Sequence, residues 1–377
     1  MSGIASPWFD RVEYEARLDR VQMSLVERGL DGLVAFQPET VTWLTGFFTR
    51  GYGSLQCAII PASGLPAIIC RDVEEYYLDA TCVFPDRAMW SDGDDSLEAV
   101  SRTITRLLGK SARLGIELSA WPLSAGRFGS LNESLPGTSW HDESRLAATM
   151  RLIKSEAEIA YQRRAGKAAE AGMLAAIDTA RAGTSEREMA AEICAAMIRA
   201  GSDLPGPGVL SSGERAYHLH GGYSDRILET GDLVQVETTP NVRHYHARFM
   251  RPLRVGQASD EDHRVVDTLI AIQDAALDEV RAGVAASVPD RIYRQGVLSA
   301  GLRDSYTNKT FYSVGLLLQP SGGEALEATP RCDWEFEAGM TFHTYVLAGG
   351  FGMSETIAVT GNGHERLTNF ERRLFIT

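Results

Sequence analysis

Apolar side chains recur at helical spacing between charged ones over residues 10–30, at Val12, Tyr14, Leu18, Val21, Met23, Leu25 and Leu30, which predicts an amphipathic helix. Short apolar runs follow at Gly32-Leu33-Val34-Ala35-Phe36, Cys57-Ala58-Ile59-Ile60-Pro61 and Ala67-Ile68-Ile69-Cys70. They read as buried strands, with helical stretches between them and another at Leu97–Leu108. Strand–helix alternation of this kind predicts a first α/β domain. A helical block begins near Met150 and runs to Ile159, with Ser155 and Glu158 spaced as a capping box. Residues 157–200 are rich in alanine and read as helix, interrupted at Arg181–Glu186 by a stop and a new cap. From residue 205 onward strands and glycines dominate, with one more helix expected at about 259–282. No 20–50-residue period repeats. The boundary falls near 148–155, giving domains 1–150 and 151–377.

The chain has 377 residues, 44% hydrophobic and 23% charged, an ordinary globular balance of a size suited to two domains. No apolar run approaches the roughly 18–20 residues that span a bilayer. The start Met1-Ser2-Gly3-Ile4-Ala5-Ser6-Pro7 lacks a basic region followed by an apolar core. The expectation is a cytoplasmic protein with no membrane partner. Lys plus Arg number 37 and Asp plus Glu 50, a formal charge of −13. So acidic a surface argues against a nucleic-acid partner, yet leaves room for a small anion held by buried arginine. Five scattered cysteines form no C-x-x-C pair, consistent with reduced thiols. No P-loop, G-x-G-x-x-G, G-x-S-x-G or H-E-x-x-H pattern is present.

The remaining chemistry lies in polar clusters of the second half. His220 and Glu237 stand 17 residues apart, the glutamate at the end of the apolar strand Leu233–Val236. Adjacent strands of a curved sheet bring such a pair into one cavity, where the carboxylate attacks carbon or activates water and the imidazole moves a proton. The alternative is that His220 caps a turn and Glu237 pairs with Arg248 or Arg251. In Arg243-His244-Tyr245-His246-Ala247-Arg248, strand alternation places His244, His246 and Arg248 on one face. His343 and Tyr345 share a strand face, and Tyr312 is placed in the same cavity, where phenols suit a small polar ligand. Glu355 is read as orienting a catalytic partner or as pairing with an arginine. Arg331 is a candidate carboxylate anchor, and Phe48 with Arg50 a ring-and-guanidinium clamp.

Three stretches together carry a family resemblance. They are Ser211-Ser212-Gly213 through His220-Gly221-Gly222 to Gly231-Asp232-Leu233-Val234, then Tyr245–Arg251, then Glu337-Ala338-Gly339-Met340-Thr341-Phe342 with Ser354-Glu355-Thr356 and Gly363. In order and spacing the chain resembles the creatinase, prolidase and methionine aminopeptidase superfamily. The resemblance implies an α+β protein: a C-terminal pita-bread fold behind a smaller N-terminal α/β domain. In metal-dependent members two Asp, one His and two Glu hold two cations. The matching positions here are Glu237, Arg248, Tyr312, Tyr345 and Ser354. One carboxylate and a guanidinium do not suit a pair of cations, so no metal and no cofactor are expected.

Two branches compare better. Creatinase uses a His at the position of His220 and takes a Phe and an Arg from its partner subunit in an F-x-R-x-Y-G pattern, reproduced by Phe48-Thr49-Arg50-Gly51-Tyr52-Gly53. Ectoine hydrolase is similar at Gly339–His343, Tyr245-His246, Glu355 and Glu237, the last matching its catalytic carboxylate. The segment Gln319-Pro320-Ser321-Gly322-Gly323-Glu324 follows it only loosely. The resemblance thus implies a homodimeric, metal-independent hydrolase. It cleaves a non-peptide C–N bond in a small carboxylated amidine, guanidino compound or amide. Glu237, His220 and Glu355 are its catalytic residues. Phe48, Arg50, Tyr245, His246, Tyr312, Arg331, His343 and Tyr345 bind substrate. A cyclase or isomerase on similar substrates, a non-catalytic binding protein and a metal-dependent Xaa-Pro aminopeptidase are the rivals.

Overall fold

The computed structural model describes residues 6–206, 208–318 and 323–377. The N-terminal residues 1–5 and the segment Gln319–Gly322 lie outside them. The chain forms two compact units, Met1–Met150 and Arg151–Thr377.

The first unit is built on six strands: β1 (Gly32–Ala35), β2 (Cys57–Pro61), β3 (Ala67–Arg71), β4 (Asp86–Trp90), β5 (Arg113–Ile116) and β6 (Ser139–Asp142). Their spatial order is β4-β3-β2-β1-β5-β6. Only the β1–β2 and β2–β3 pairs are antiparallel. Every residue of β1 and β2 is buried, which explains their uninterrupted apolar sequences. Helix Ser96–Leu108, capped by the Asp95 carboxylate on the Leu97 N–H, presses Ala99, Val100 and Ile104 onto Val34, Ile59 and Leu114. Helix Pro38–Thr45 ends at Gly46, whose φ of 80° only glycine adopts freely. The chain then turns through the Phe48–Gly53 segment.

Among the described residues, the second unit carries eleven strands. They are β7 (Leu210–Ser212), β8 (Leu233–Thr238), β9 (Asn241–Val242), β10 (Tyr245–His246), β11 (Phe249–Arg254), β12 (Phe311–Ser313), β13 (Glu327–Ala328), β14 (Thr341–Ala348), β15 (Phe351–Val359), β16 (His364–Arg366) and β17 (Phe375–Ile376). One sheet runs β17-β11-β8-β7 and the other β13-β12-β14-β15-β16. The Met250 N–H on β11 donates to the Ser354 hydroxyl on β15 at 2.7 Å and ties the two together.

Period-two alternation gives each sheet an outer and an inner face. On the outer face, Val234, Val236, Phe249 and Leu253 pack under Met173, Met189, Ile193 and Met197 of helices Glu156–Thr179 and Glu186–Arg199. Phe342, Val346, Met353 and Ile357 pack under Val266, Leu269, Tyr293 and Val297 of helices Asp260–Leu277 and Ser287–Ser299. The inner face takes the alternate residues: Gln235 and Glu237 on β8, Met250 opposite Glu237 on β11, His343 and Tyr345 on β14, Ser354 opposite Tyr345 on β15. Polar residues in buried strands thereby point into one cavity.

Three sequence expectations need correction. The block expected to begin near Met150 becomes helical only at Glu156, where Ser155 and Glu158 close their capping box. The single helix expected at about 259–282 is Asp260–Leu277, and a second follows at Ser287–Ser299. The run Arg243–Arg248 is not one strand. Arg243 and His244 turn with φ of 52° and 59° between β9 and β10, so His244, His246 and Arg248 share no strand face.

Candidate functional site

Glu237 is nearly buried on the inner face of β8. Burial pushes its carboxyl pKa up. Arg248 foremost, then a hydrogen bond with the Val209 backbone and the charge of His220, pull it partly back. The Nε2 of His343 lies 3.7 Å from Glu237 Oε1, beyond hydrogen-bond length. Burial, then the charges of Arg248 and Lys309, hold His343 well below the ordinary histidine value, so this imidazole is neutral.

Arg248 completes the group. Burial works against its charge, yet Tyr312 and Glu237 keep its pKa above the ordinary arginine value. Its Nη1 donates to the Tyr312 hydroxyl at 3.2 Å. The Tyr312 ring stands edge-on to His343 at 5.0 Å, and His343 stacks on Tyr345 at 5.5 Å. Burial raises both phenols, Tyr312 to about 12, so they are protonated. Among the described residues, both ring nitrogens of His343 and the Nε of Arg248 are buried without a hydrogen-bond partner. Such groups are costly in a folded protein and mark a site prepared for a polar ligand.

His220 is exposed, with φ of 68°, in the loop between β7 and β8. Its charge is among those that pull the Glu237 carboxyl down. The loop is fastened at its neck by buried Glu186 at the start of helix Glu186–Arg199. The Glu186 carboxylate accepts from the N–H and hydroxyl of Ser212 at 2.8 and 2.7 Å, from those of Ser224 at 2.8 and 2.7 Å, and from Arg215. Those hydrogen bonds hold its pKa below the usual range although burial opposes them.

Other expected residues lie elsewhere. Glu355 is on the outer face of β15, fully buried, with Arg251 Nη2 on one oxygen and the Thr368 hydroxyl on the other, each at 2.6 Å. Its neighbour across the strands is Thr344, not His343, so it faces away from the cavity. Tyr245 is fully buried with its hydroxyl on Glu158 at 2.6 Å and its ring stacked on Tyr161. It braces helix Glu156–Thr179 rather than lining the cavity. His246 hydrogen-bonds the Leu317 carbonyl at 3.2 Å, and burial, with Arg248 and His244, lowers it to about 3. Arg331 is exposed on the turn after β13. In the first unit, Phe48 packs on Trp8 at 4.9 Å and Arg50 is exposed.

Sequence reasoning gave Arg248 only a general polar role and overlooked Lys309, whose Nζ sits 5.0 Å over the Tyr312 ring. It also overlooked Glu186. The departure of position 248 from the family's metal set was the signal for Arg248. Glu186 offered none, because its partners lie 26 and 38 residues away.

Residues 160–361 match metallopeptidase family M24, and residues 17–153 match the creatinase/prolidase N-terminal domain. The chain belongs to family M24, as a hydrolase with a creatinase-type N-terminal domain and a C-terminal pita-bread domain. It is 26% identical to an uncharacterized hydrolase/peptidase, y4tM, of Sinorhizobium fredii and 26% identical to ectoine hydrolase of Halomonas elongata, each over 98% of both chains. The crystal structure of dipeptidase PepE from Mycobacterium ulcerans superposes with a TM-score of 0.83 at 25% identity, over 98% of this chain and 99% of that one.

Family M24 is named for metallopeptidases, so the donor set needs testing against a metal. Among the described residues no group of three or more His, Cys, Asp or Glu side chains gathers to hold an ion. The cavity offers one carboxylate, one imidazole and two protonated phenols around a guanidinium. That set does not fit a pair of divalent cations. No helix among the described residues is long and apolar enough to cross a membrane.

Proposed function

We propose that this chain is a metal-independent hydrolase that cleaves a non-peptide C–N bond in a small carboxylated molecule. The observation that carries this reading is the fixed cation of Arg248 beside Glu237 and neutral His343. Glu237 is the base or nucleophile, poised nearer neutrality by burial. As base it takes a proton from water, whose oxygen bonds to the electrophilic carbon. Arg248 and the Tyr312 hydroxyl stabilise the negative charge that develops there. The C–N bond then breaks, and the leaving nitrogen takes a proton delivered by His220 or returned by Glu237. His343 orients the substrate by hydrogen bonding as a neutral ring. Phe48 and Arg50, supplied by a second copy of the chain, belong to this reading as a clamp on the substrate carboxylate. Similarity to ectoine hydrolase supports the substrate class.

The test assays purified protein on ectoine and on Xaa-Pro dipeptides, after chelation and again with Mn²⁺ or Co²⁺. We expect turnover of the cyclic amidine without added metal. Glu237→Gln should reduce it by about 10²–10⁴-fold with the fold intact by circular dichroism. Activity confined to the dipeptides and dependent on metal would replace this reading with a dipeptidase.

A further inference from the structure

A cavity of about 260 Å³ is bounded by Tyr217, Leu219, Gln235, Arg303, Asn308 and the tip of the β14–β15 hairpin from Leu347 to Phe351. Gln235 is two residues before Glu237 on β8, and Leu347 two after Tyr345 on β14. Each step covers about 7 Å of extended strand and keeps to the inner face. Both steps lead toward the same end of the cavity. Gly352, which pairs with Leu347, faces both, and a Cβ there would stand 2.9 Å from Leu347 Cδ2 and 3.3 Å from Gln235 Nε2. The pocket therefore continues the floor on which Glu237 sits.

Its polar side chains include a guanidinium and two amides. Arg303 Nη1 donates to the Asn308 side-chain oxygen at 3.1 Å, and its guanidinium lies 4.9 Å from the centre of the Tyr306 ring. Among the described residues no ion pair with Asp or Glu involves Arg303, although the chain's formal charge is −13. Among the described residues, the Gln235 amide nitrogen donates only to the weak acceptor Met250 Sδ, at 3.8 Å. A half-buried guanidinium without an acid, flanked by two amides in a concave pocket, is a fork for a carboxylate.

We propose that this pocket is the anionic subsite of the enzyme. Arg303 binds the substrate carboxylate, Asn308 and Gln235 flank it, and the scissile C–N bond lies about 7 Å away against Glu237. The proposal deepens the reading above, and rests on it for the reaction but not for the binding. It adds a carboxylate anchor within the catalytic unit to the Phe48–Arg50 clamp.

The test is calorimetric binding of N-acetylglycine and its neutral isostere N-acetylglycinamide to full-length protein. All variants are made in the Glu237→Gln background, so that turnover does not intervene. We expect the carboxylate to bind more tightly than the amide. R303M should weaken it by about 10–100-fold and erase the preference. R303K should retain part of the affinity. Equal binding of the two probes, or unchanged binding in R303M, would overturn the proposal. Absence of C–N hydrolysis in the parent protein, with the Arg303-dependent preference intact, would sink the catalytic reading alone.

Discussion

Two arginine–glutamate pairs sit on opposite faces of the same joined sheets, and they are built to opposite ends. On the outer face Arg251 uses its donors fully. Nε goes to the Glu371 carbonyl, Nη1 to the Met250 and Ser354 carbonyls, and Nη2 to Phe370 and Glu355. Glu355 in turn has both oxygens occupied. On the inner face Arg248 spends one hydrogen bond on Tyr312, keeps its Nε unpartnered, and leaves Glu237 beside an imidazole too distant to bond. Residue type is alike in the two pairs, although Arg251 and Glu355 are fully buried and Arg248 is half-buried. Saturation separates them: the outer pair is finished within the fold, and the inner pair is completed only by something that enters.

The largest effect should come from breaking the finished pair. Arg251→Met leaves the fully buried Glu355 carboxylate with only the Thr368 hydroxyl and, at 3.8 Å, Arg366 Nη1, and should cost about 3–5 kcal/mol of stability in urea unfolding. A cost under about 1 kcal/mol would erase the contrast with the inner face.

A subtler effect is expected at the open pair. Arg248 is the foremost charge holding the Glu237 carboxyl down against burial. In Arg248→Met the carboxyl should therefore titrate at higher pH than in the parent, read from the ¹³C shift of labelled glutamate. Movement to lower pH would mean that Arg248 does not act on Glu237.

The smallest effect concerns the histidines. His343 and His246 are held below the ordinary value of 6.5 in the fold. The unfolded chain therefore binds protons that the folded chain refuses, and stability falls as pH drops below about 6.5. His343→Gln removes one such group. Between pH 6 and 5 its stability should fall less steeply than the parent's, by up to about 1.4 kcal/mol per pH unit. Parallel slopes would show that His343 is already charged at that pH.

What was legible in the sequence was what short-range physics decides. Ser155 and Glu158 announce a helix start because a capping box closes within four residues. The buried strands of the first unit show as unbroken apolar runs. Helix Ser287–Ser299 was hidden because its N-cap is Ala286, which offers no side-chain acceptor, and Pro289 reads as a break although proline is tolerated in a first turn. The Arg243–Arg248 run imitates strand alternation, and only the positive φ at Arg243 and His244 reveals the turn. Glu237 and Glu355 were indistinguishable as residues, since the groups that saturate Glu355 include one 104 positions away. Partner counts of this kind belong to tertiary structure.

The Glu186 buckle has a mechanical consequence. Because the carboxylate that cinches the Ser212–Ser224 loop projects from an outer helix, the loop is fastened to the outer layer of the unit as well as to β7, where the Leu210 N–H donates to the Gly221 carbonyl at 3.0 Å. A small shift at the start of that helix would therefore be felt in the loop that carries the exposed imidazole at position 220.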